Sequence, residues 1–297
     1  MVVEPSSSAN ASRVAILGAG LMGAGIAQIC VANGYTVTLY GRSQNKLDDA
    51  KMKIKKGLQK AFSKCKNTPT ELVDSVVSER ISLLSTTTRV ADCVKDADIV
   101  IEAVIEDITL KRELFSEIQE NCPSHAIIAT NTSSIRLKDL ADCIYPKSRF
   151  GGLHFFNPVP VLKLVEVISI EETSEETKRA LHAFCKSVGK VAIACKDTPG
   201  FVVNRLLVPY LIDSIRMLER GDATKEDIDS AMRFGTSYPM GPLELCDYVG
   251  LDTIQNVMKV WRESMPNDSR FVPCKLLDTL VEQGKLGRKN NEGFYKY

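Results

Sequence analysis

Two short stretches of this chain carry groups able to do chemistry. In GGLHFFNPVP (151–160), His154, one of three histidines, stands between Leu153 and two phenylalanines. An imidazole can take or give a proton near neutral pH. In such apolar company it reads first as a buried ring holding a hydrogen bond, with proton transfer as the second reading. The other stretch is Gly18-Ala19-Gly20-Leu21-Met22-Gly23, which fits GxGxxG. It follows an apolar run, RVAILG (13–18), and opens a helical one, LMGAGIAQICVANG (21–34). That is the setting in which the pattern binds a dinucleotide. Gly18 makes the tight turn, Gly20 lets the backbone approach the pyrophosphate, and Gly23 lets helix and strand pack closely. The anion then sits on the positive end of the helix.

A dinucleotide site for NAD usually carries Asp or Glu at the end of the second strand, on the ribose 2′-hydroxyl. Here that place reads Tyr40-Gly41-Arg42-Ser43. Gly41 offers no carboxylate, while Arg42 and Ser43 have the chemistry to hold a 2′-phosphate. The residues alone tilt the choice towards NADP. The alternative is NAD, with Arg42 stacked on the adenine.

The elements that hold these groups follow from periodicity. YTVTLY (35–40) is β-branched and strand-like, so the chain opens β-α-β. A long helix over roughly Asn45–Lys66 has Leu47, Ala50, Ile54, Leu58 and Ala61 on one face. Lys53, Lys56, Lys60 and Lys64 crowd the other. A second helix, about Glu71–Glu79, returns the chain, making a helical hairpin insertion at about 43–80. Strand-like runs at 81–86, 98–104, 126–131, 149–156, 163–169 and 191–196 then alternate with helical ones, among them 110–120 and 175–187. The alternation predicts an α/β fold with a doubly wound, mostly parallel sheet.

Beyond DTPGF (197–201) there is no strand pattern. FVVNRLLVPYLIDSIRMLERG (201–221) is apolar on more than one side and predicts a buried helix. The segment 223–235 has Thr224 as N-cap and Gly235 as stop. In 241–250, Pro242 falls in a first helical turn. The division is a flexible N-terminal tail at 1–12, a dinucleotide-binding domain at 13–199 and a helical domain at 200–297.

Totals narrow the class. A formal net charge of +1 argues against a nucleic-acid partner. No apolar run reaches the roughly 18 residues of a membrane span. The nine cysteines are scattered with no CxxC pair, which reads as reduced thiols rather than a disulfide frame or zinc site. No His, Cys, Asp and Glu cluster has metal-ligand spacing. The tail MVVEPSSSANAS has no long apolar core, as a secretory signal needs, and it carries Glu4 with no Arg before Arg13, which makes a poor mitochondrial presequence.

GAGLMGAGIAQ, NTSS, GLHFFNPVP, KLVEV, DTPGFVVNRLL, YPMGPLEL and EGFYKY, in this order from about Arg13 to Tyr297, resemble the L-3-hydroxyacyl-CoA dehydrogenases of fatty-acid β-oxidation. The resemblance implies a Rossmann-like domain followed by an all-helical domain that forms a homodimer. The implied substrate is an acyl-CoA, the cofactor NAD, and the compartment the mitochondrial matrix, with the cytoplasm as alternative. It implies His154 as catalytic base and Glu166, in KLVEV, as its carboxylate partner, brought together across a hairpin. Ser133, in NTSS, matches a serine touching substrate oxygen and cofactor, and Asn204, in VVNRLL, an asparagine that holds substrate. Glu106, Lys111, Asn157 and Lys289 match further cofactor contacts, beside Gly18, Gly20, Leu21, Met22, Gly23, Gly41 and Arg42. Lys64 matches a lysine on CoA. Gly57 stands where the family has a serine on CoA, and Gly41 where it has an acid. Relatives with similar motifs suggest a small non-CoA hydroxy acid as a different substrate, and reuse of the fold as a crystallin-like dinucleotide-binding protein is a non-enzymatic reading.

Overall fold

A computed structural model describes residues 12–65 and 69–297. Residues 1–11 of the expected tail and Lys66, the expected end of the long helix, lie outside the described residues. The chain divides between Phe201 and Val202 into two compact units.

The first unit is built on β1 (Arg13–Leu17), β2 (Thr36–Tyr40), β3 (Leu84–Thr87), β4 (Ile99–Glu102), β5 (Ile127–Thr130), β6 (Phe150–Phe155), β7 (Leu164–Ser169) and β8 (Val191–Lys196). They form one sheet in the order β3-β2-β1-β4-β5-β6-β7-β8. The first six strands of the chain run parallel; β7 is antiparallel to β6, and β8 is parallel to β7. The sheet is thus doubly wound and mostly parallel. Strand faces alternate: Val14, Ile16 and Ile101 enter one apolar layer, Ala15, Leu17 and Val100 the other. Covering both faces is what makes parallel strands read as near-continuous apolar runs.

On one face lie α1 (Leu21–Ala32), α2 (Gln44–Ser63), α3 (Val73–Ser82) and α6 (Glu175–Ser187). On the other lie α4 (Val90–Val94) and α5 (Ile108–Asn121). Gly34, at φ +86°, lets the chain turn after α1. Two boundaries differ from the periodicity. The strand expected at 81–86 begins only at Leu84, because Ile81 and Ser82 complete the last turn of α3. The helix expected at 71–79 is a 3₁₀ turn, Thr70–Leu72, followed by α3.

The second unit holds α7 (Val203–Glu219), α8 (Lys225–Gly235), α9 (Pro242–Val249), α10 (Leu251–Ser264) and α11 (Lys275–Glu282). Its core gathers Leu211, Ile212, Ile215, Leu243, Ile254, Met258, Trp261, Phe271 and Leu277. One expectation is corrected here. Helix α7 buries one face only, for Leu206 is 71% and Met217 41% exposed; its apolar excess is surface, not core. Helix α8 ends at Gly235, as expected, with Thr236 following as cap. Thr224 does cap α8, its side chain accepting from the Asp227 N–H. Pro242 opens α9 at its first turn. No described helix is long and apolar enough to cross a membrane.

Candidate active site

The carboxyl ends of β1, β2, β4, β5 and β6 share one edge of the sheet, as their parallel pairing requires. The antiparallel turn of β7 brings its first residues to that same edge. Ligands of open α/β sheets bind outside this edge, where the strand order reverses. Here the reversal lies between β1 and β4, the strands on either side of the glycine loop's approach.

The loop after β1 shows why each glycine is there. Gly18 has φ +123°, and a Cβ on it would meet the Ala103 carbonyl oxygen at 2.3 Å. A Cβ on Gly23 would meet the Gly18 oxygen at 1.8 Å, so α1 rests directly on the turn. At Gly20 a Cβ would meet nothing within 4 Å: its outer side is open. Gly20 is the N-cap of α1 and gives no side-chain hydrogen bond, so the first-turn N–H groups around Leu21 and Met22 are without a side-chain cap. An open glycine before uncapped helix N–H groups fits a pyrophosphate. Beside it, Tyr40, Gly41, Arg42, Ser43 and Lys46 line a cleft with Val104, Ile105 and Leu110, apolar enough for an adenine.

His154 and Glu166 are register partners in the β6–β7 hairpin. Neighbours across antiparallel strands project to the same face, and His154 Nδ1 lies 2.6 Å from Glu166 Oε2. A carboxylate only accepts, so Nδ1 donates in this contact, and Nε2 is the nitrogen not committed to Glu166. Both side chains are buried, His154 at 5% and Glu166 at 0% exposure. The rings of Phe156 and Phe201 flank the imidazole with centroids at 4.5 and 5.5 Å. Phe155 points the other way, into the apolar layer. Phe201 takes φ +50°, an uncommon value for a bulky residue, and so brings its ring against His154. The turn between the strands is strapped by Lys190, whose ammonium donates to the Val159 and Leu162 carbonyls.

The third cluster follows β4 and β5. Ser133 donates from its N–H and its hydroxyl to Glu106, and Ser134 N–H and Thr132 Oγ1 donate to the same carboxylate. Lys111, 1% exposed, places its ammonium 2.8 Å from Glu106 and 2.9 Å from Glu102. Burial on its own would raise the Glu106 pKa; the Lys111 ammonium and the donors from Ser133 and Thr132 outweigh it and hold the carboxyl below its ordinary value. Lys111 therefore meets the surroundings through Glu106 and has no open face of its own. Asn131 joins this loop to the hairpin, its Oδ1 accepting from Phe155 N–H.

The remaining expected residues are placed as follows. Asn157 is exposed just past β6. Lys64 is exposed at the C-terminal end of α2, about 30 Å along the helix from Ser43. A Cβ on Gly57 would collide with the Gln28 side chain at 2.2 Å, so Gln28 fills the place of a serine. In the second unit Asn204 is half-buried in the first turn of α7, and the Lys289 ammonium is held by the Asp252 carboxylate. Glu102, Asn131, Lys190 and Phe201 belong to the first unit's arrangement and were not singled out from sequence. Glu102 lies in the strand-like run 98–104, Asn131 is the first residue of NTSS and Phe201 the last of DTPGF, and nothing pointed to Lys190. Among the described residues no group of three His, Cys, Asp or Glu is placed to hold a metal ion.

Comparison with known proteins completes the picture. Residues 13–198 match the family model "3-hydroxyacyl-CoA dehydrogenase, NAD binding domain", and 200–297 match "3-hydroxyacyl-CoA dehydrogenase, C-terminal domain". The hydroxyacyl-coenzyme A dehydrogenase, mitochondrial, of Rattus norvegicus is 49% identical over 284 residues, 96% of this chain and 90% of that protein. A probable 3-hydroxybutyryl-CoA dehydrogenase of Bacillus subtilis is 41% identical over 285 residues, 96% of this chain and 97% of that one. The solved (S)-3-hydroxybutyryl-CoA dehydrogenase PaaH1 from Ralstonia eutropha is 38% identical with a TM-score of 0.91, covering 97% of this chain and 99% of that one.

Proposed function

The chain belongs to the 3-hydroxyacyl-CoA dehydrogenase family, and from that premise we propose that it is an NAD-dependent oxidoreductase interconverting a 3-hydroxyacyl-CoA and its 3-oxoacyl-CoA through His154 and Glu166. The observation that carries the residue assignment is the buried Nδ1–Glu166 contact of 2.6 Å at the dinucleotide edge of the sheet. Glu166 fixes the tautomer and stabilises the charge when the ring gains a proton. Nε2 takes the proton of the substrate's 3-hydroxyl as the C3 hydrogen leaves with its electron pair, and returns it in the reverse direction. NAD, when bound, supplies the acceptor of that hydride. The loop 18–23 holds the pyrophosphate, and the cleft at Tyr40–Lys46 and Val104–Leu110 holds the adenosine. Phe156 and Phe201 keep water from the imidazole.

Ser133 positions substrate oxygen, held in place by Glu106. Lys111 acts on the site through Glu106. Asn204 supplies a further hydrogen bond to substrate, and Asn157 and Lys289 further contacts to the dinucleotide. Lys64 and its neighbouring lysines attract the phosphates of CoA, whereas Gly57 contributes no hydroxyl. The domain assignment is a dinucleotide-binding domain at 13–199 and a substrate and dimerisation domain at 200–297. The protein acts as a homodimer through its helical unit, a reading supported by the apolar side chains α7 leaves exposed. Its compartment is the mitochondrion, supported by the rat and human relatives named for it.

The test is the initial rate of acetoacetyl-CoA reduction with NADH by the purified chain, beside free acetoacetate. A fast rate on the thioester alone supports the reading. Reduction of the free acid alone moves the substrate away from CoA, and no rate on either removes the reaction.

A further inference from the structure

We propose that the adenosine end of the dinucleotide cleft takes a 2′-phosphate, so that this chain binds NADP(H) as well as NAD(H). The inference rests on the reading that this cleft holds the dinucleotide. No Asp or Glu is among the residues lining it: Gly18, Ala19 and Gly20 form one wall, Tyr40 to Ser43 with Lys46 a second, and apolar side chains from Ala103 to Leu114 the third. A ribose with a free 2′-hydroxyl is usually recognised by a carboxylate at the end of β2, and a 2′-phosphate by an arginine there. This chain has removed the first and supplied the second. A Cβ on Gly41 would stand 3.0 Å from both the Ala19 Cβ and a Leu47 methyl, so Ala19 and the fully buried Leu47 would crowd a side chain there.

Cations take over the opposite role. Arg42, just before the N-cap of α2, and Lys46, in its first turn, are both exposed at the cleft, and neither has an ion pair among the described residues. Asp48, on the same helix, accepts from Gln44 Nε2 at 2.9 Å. Ser43 is the N-cap of this 20-residue helix but its hydroxyl makes no capping hydrogen bond. Its hydroxyl and the first N–H groups of α2 can therefore donate to an anion, with two cationic side chains beside them. A phosphate would find charge, hydroxyl and helix terminus together, and a bare 2′-hydroxyl would find no carboxylate among the lining residues.

The test is direct binding to the full chain. NADPH and NADH are titrated by enhancement of nicotinamide fluorescence, and 2′,5′-ADP is compared with 5′-AMP by calorimetry. The expected result is an NADPH Kd within about tenfold of the NADH value and tighter binding of 2′,5′-ADP than of 5′-AMP. Arg42→Ala and Lys46→Ala, at exposed positions, should each raise the NADPH-to-NADH Kd ratio by about tenfold, the size of one lost charge-assisted hydrogen bond. NADPH bound more than tenfold weaker than NADH overturns the proposal, and so do variants that weaken both cofactors equally. If neither cofactor binds, this inference and the proposed function fall together. If NADPH binds on these terms but acetoacetyl-CoA is not reduced, the phosphate site stands and the reaction falls.

Discussion

At the scale of single residues, the proposed reaction turns on one nitrogen. His154 has Nδ1 committed to Glu166 and lies between two aromatic rings, and the proposed reaction uses Nε2 for proton transfer. His154→Ala should lower kcat by about 10²–10⁴-fold, the usual loss on removing a general base, with NADH affinity nearly unchanged. A variant keeping more than half the activity would sink the assignment. Glu106 gives a second prediction, in pH. Its folded pKa lies below the ordinary 4.5, so it binds fewer protons folded than unfolded. Its contribution to holding Ser133 is complete above pH 4.5 and is lost as pH falls through the depressed value. Stability against urea, measured downward from pH 6, should drop more steeply below 4.5 in the wild type than in Glu106→Gln. Equal slopes would mean that Glu106 is not the titrating link. The glycine loop could be read directly because its demands are local: a positive φ and two close approaches. Glu102, which accepts from Lys111, Thr130 and Val104, could not, because its meaning comes from what β5 and α5 bring to it.

At the scale of elements, legibility follows burial. Strands covered on both faces appear as apolar runs, so β1, β4, β5 and β6 stood out. β3 did not keep its expected start, since Ile81 serves a helix end as well as a strand would. The helical unit shows the same limit. The break between α9 and α10 rests on Gly250 at φ +101°, and the chain's last turns are held by acids remote in sequence. Asp247, 1% exposed, accepts from Phe294 N–H and Tyr295 N–H at 2.8 Å each and from the Tyr297 hydroxyl. Asp229 accepts from Leu243 and Glu244 at the start of α9 and from the Tyr295 hydroxyl. EGFYKY was legible as a motif, but the two carboxylates that seat it were not. Asp247→Ala would strand two backbone donors, at about 1–3 kcal/mol each. The chain's single tryptophan, Trp261, is buried in this unit, so its fluorescence reports the loss. The urea midpoint should fall by that energy divided by the slope, with the slope unchanged, and an unaltered midpoint would show that the tail is not held through Asp247.

At the scale of the whole molecule, the helical unit covers too little of its own apolar surface. Phe234 is 83% and Leu206 71% exposed, and Val260 and Val272 are also open to solvent. Single exposed apolar residues are ordinary, and several large ones within one small unit are the surface that the proposed homodimer would cover. A second copy of the chain is the partner of the proposed homodimer, because symmetric self-association is the commonest way soluble chains cover such surface. Sedimentation should then give a particle near twice 32.7 kDa, about 65 kDa, at micromolar concentration. Phe234→Asp and Leu206→Asp place a charge where apolar packing is expected while leaving the monomer's buried core untouched. At least one should shift the particle to 32.7 kDa while NADH still binds, since the dinucleotide loop belongs to the other unit. A wild-type protein that sediments at 32.7 kDa across the concentration range would refute the dimer and leave these side chains as plain surface. A dimer insensitive to both charges would place the interface on another part of the chain.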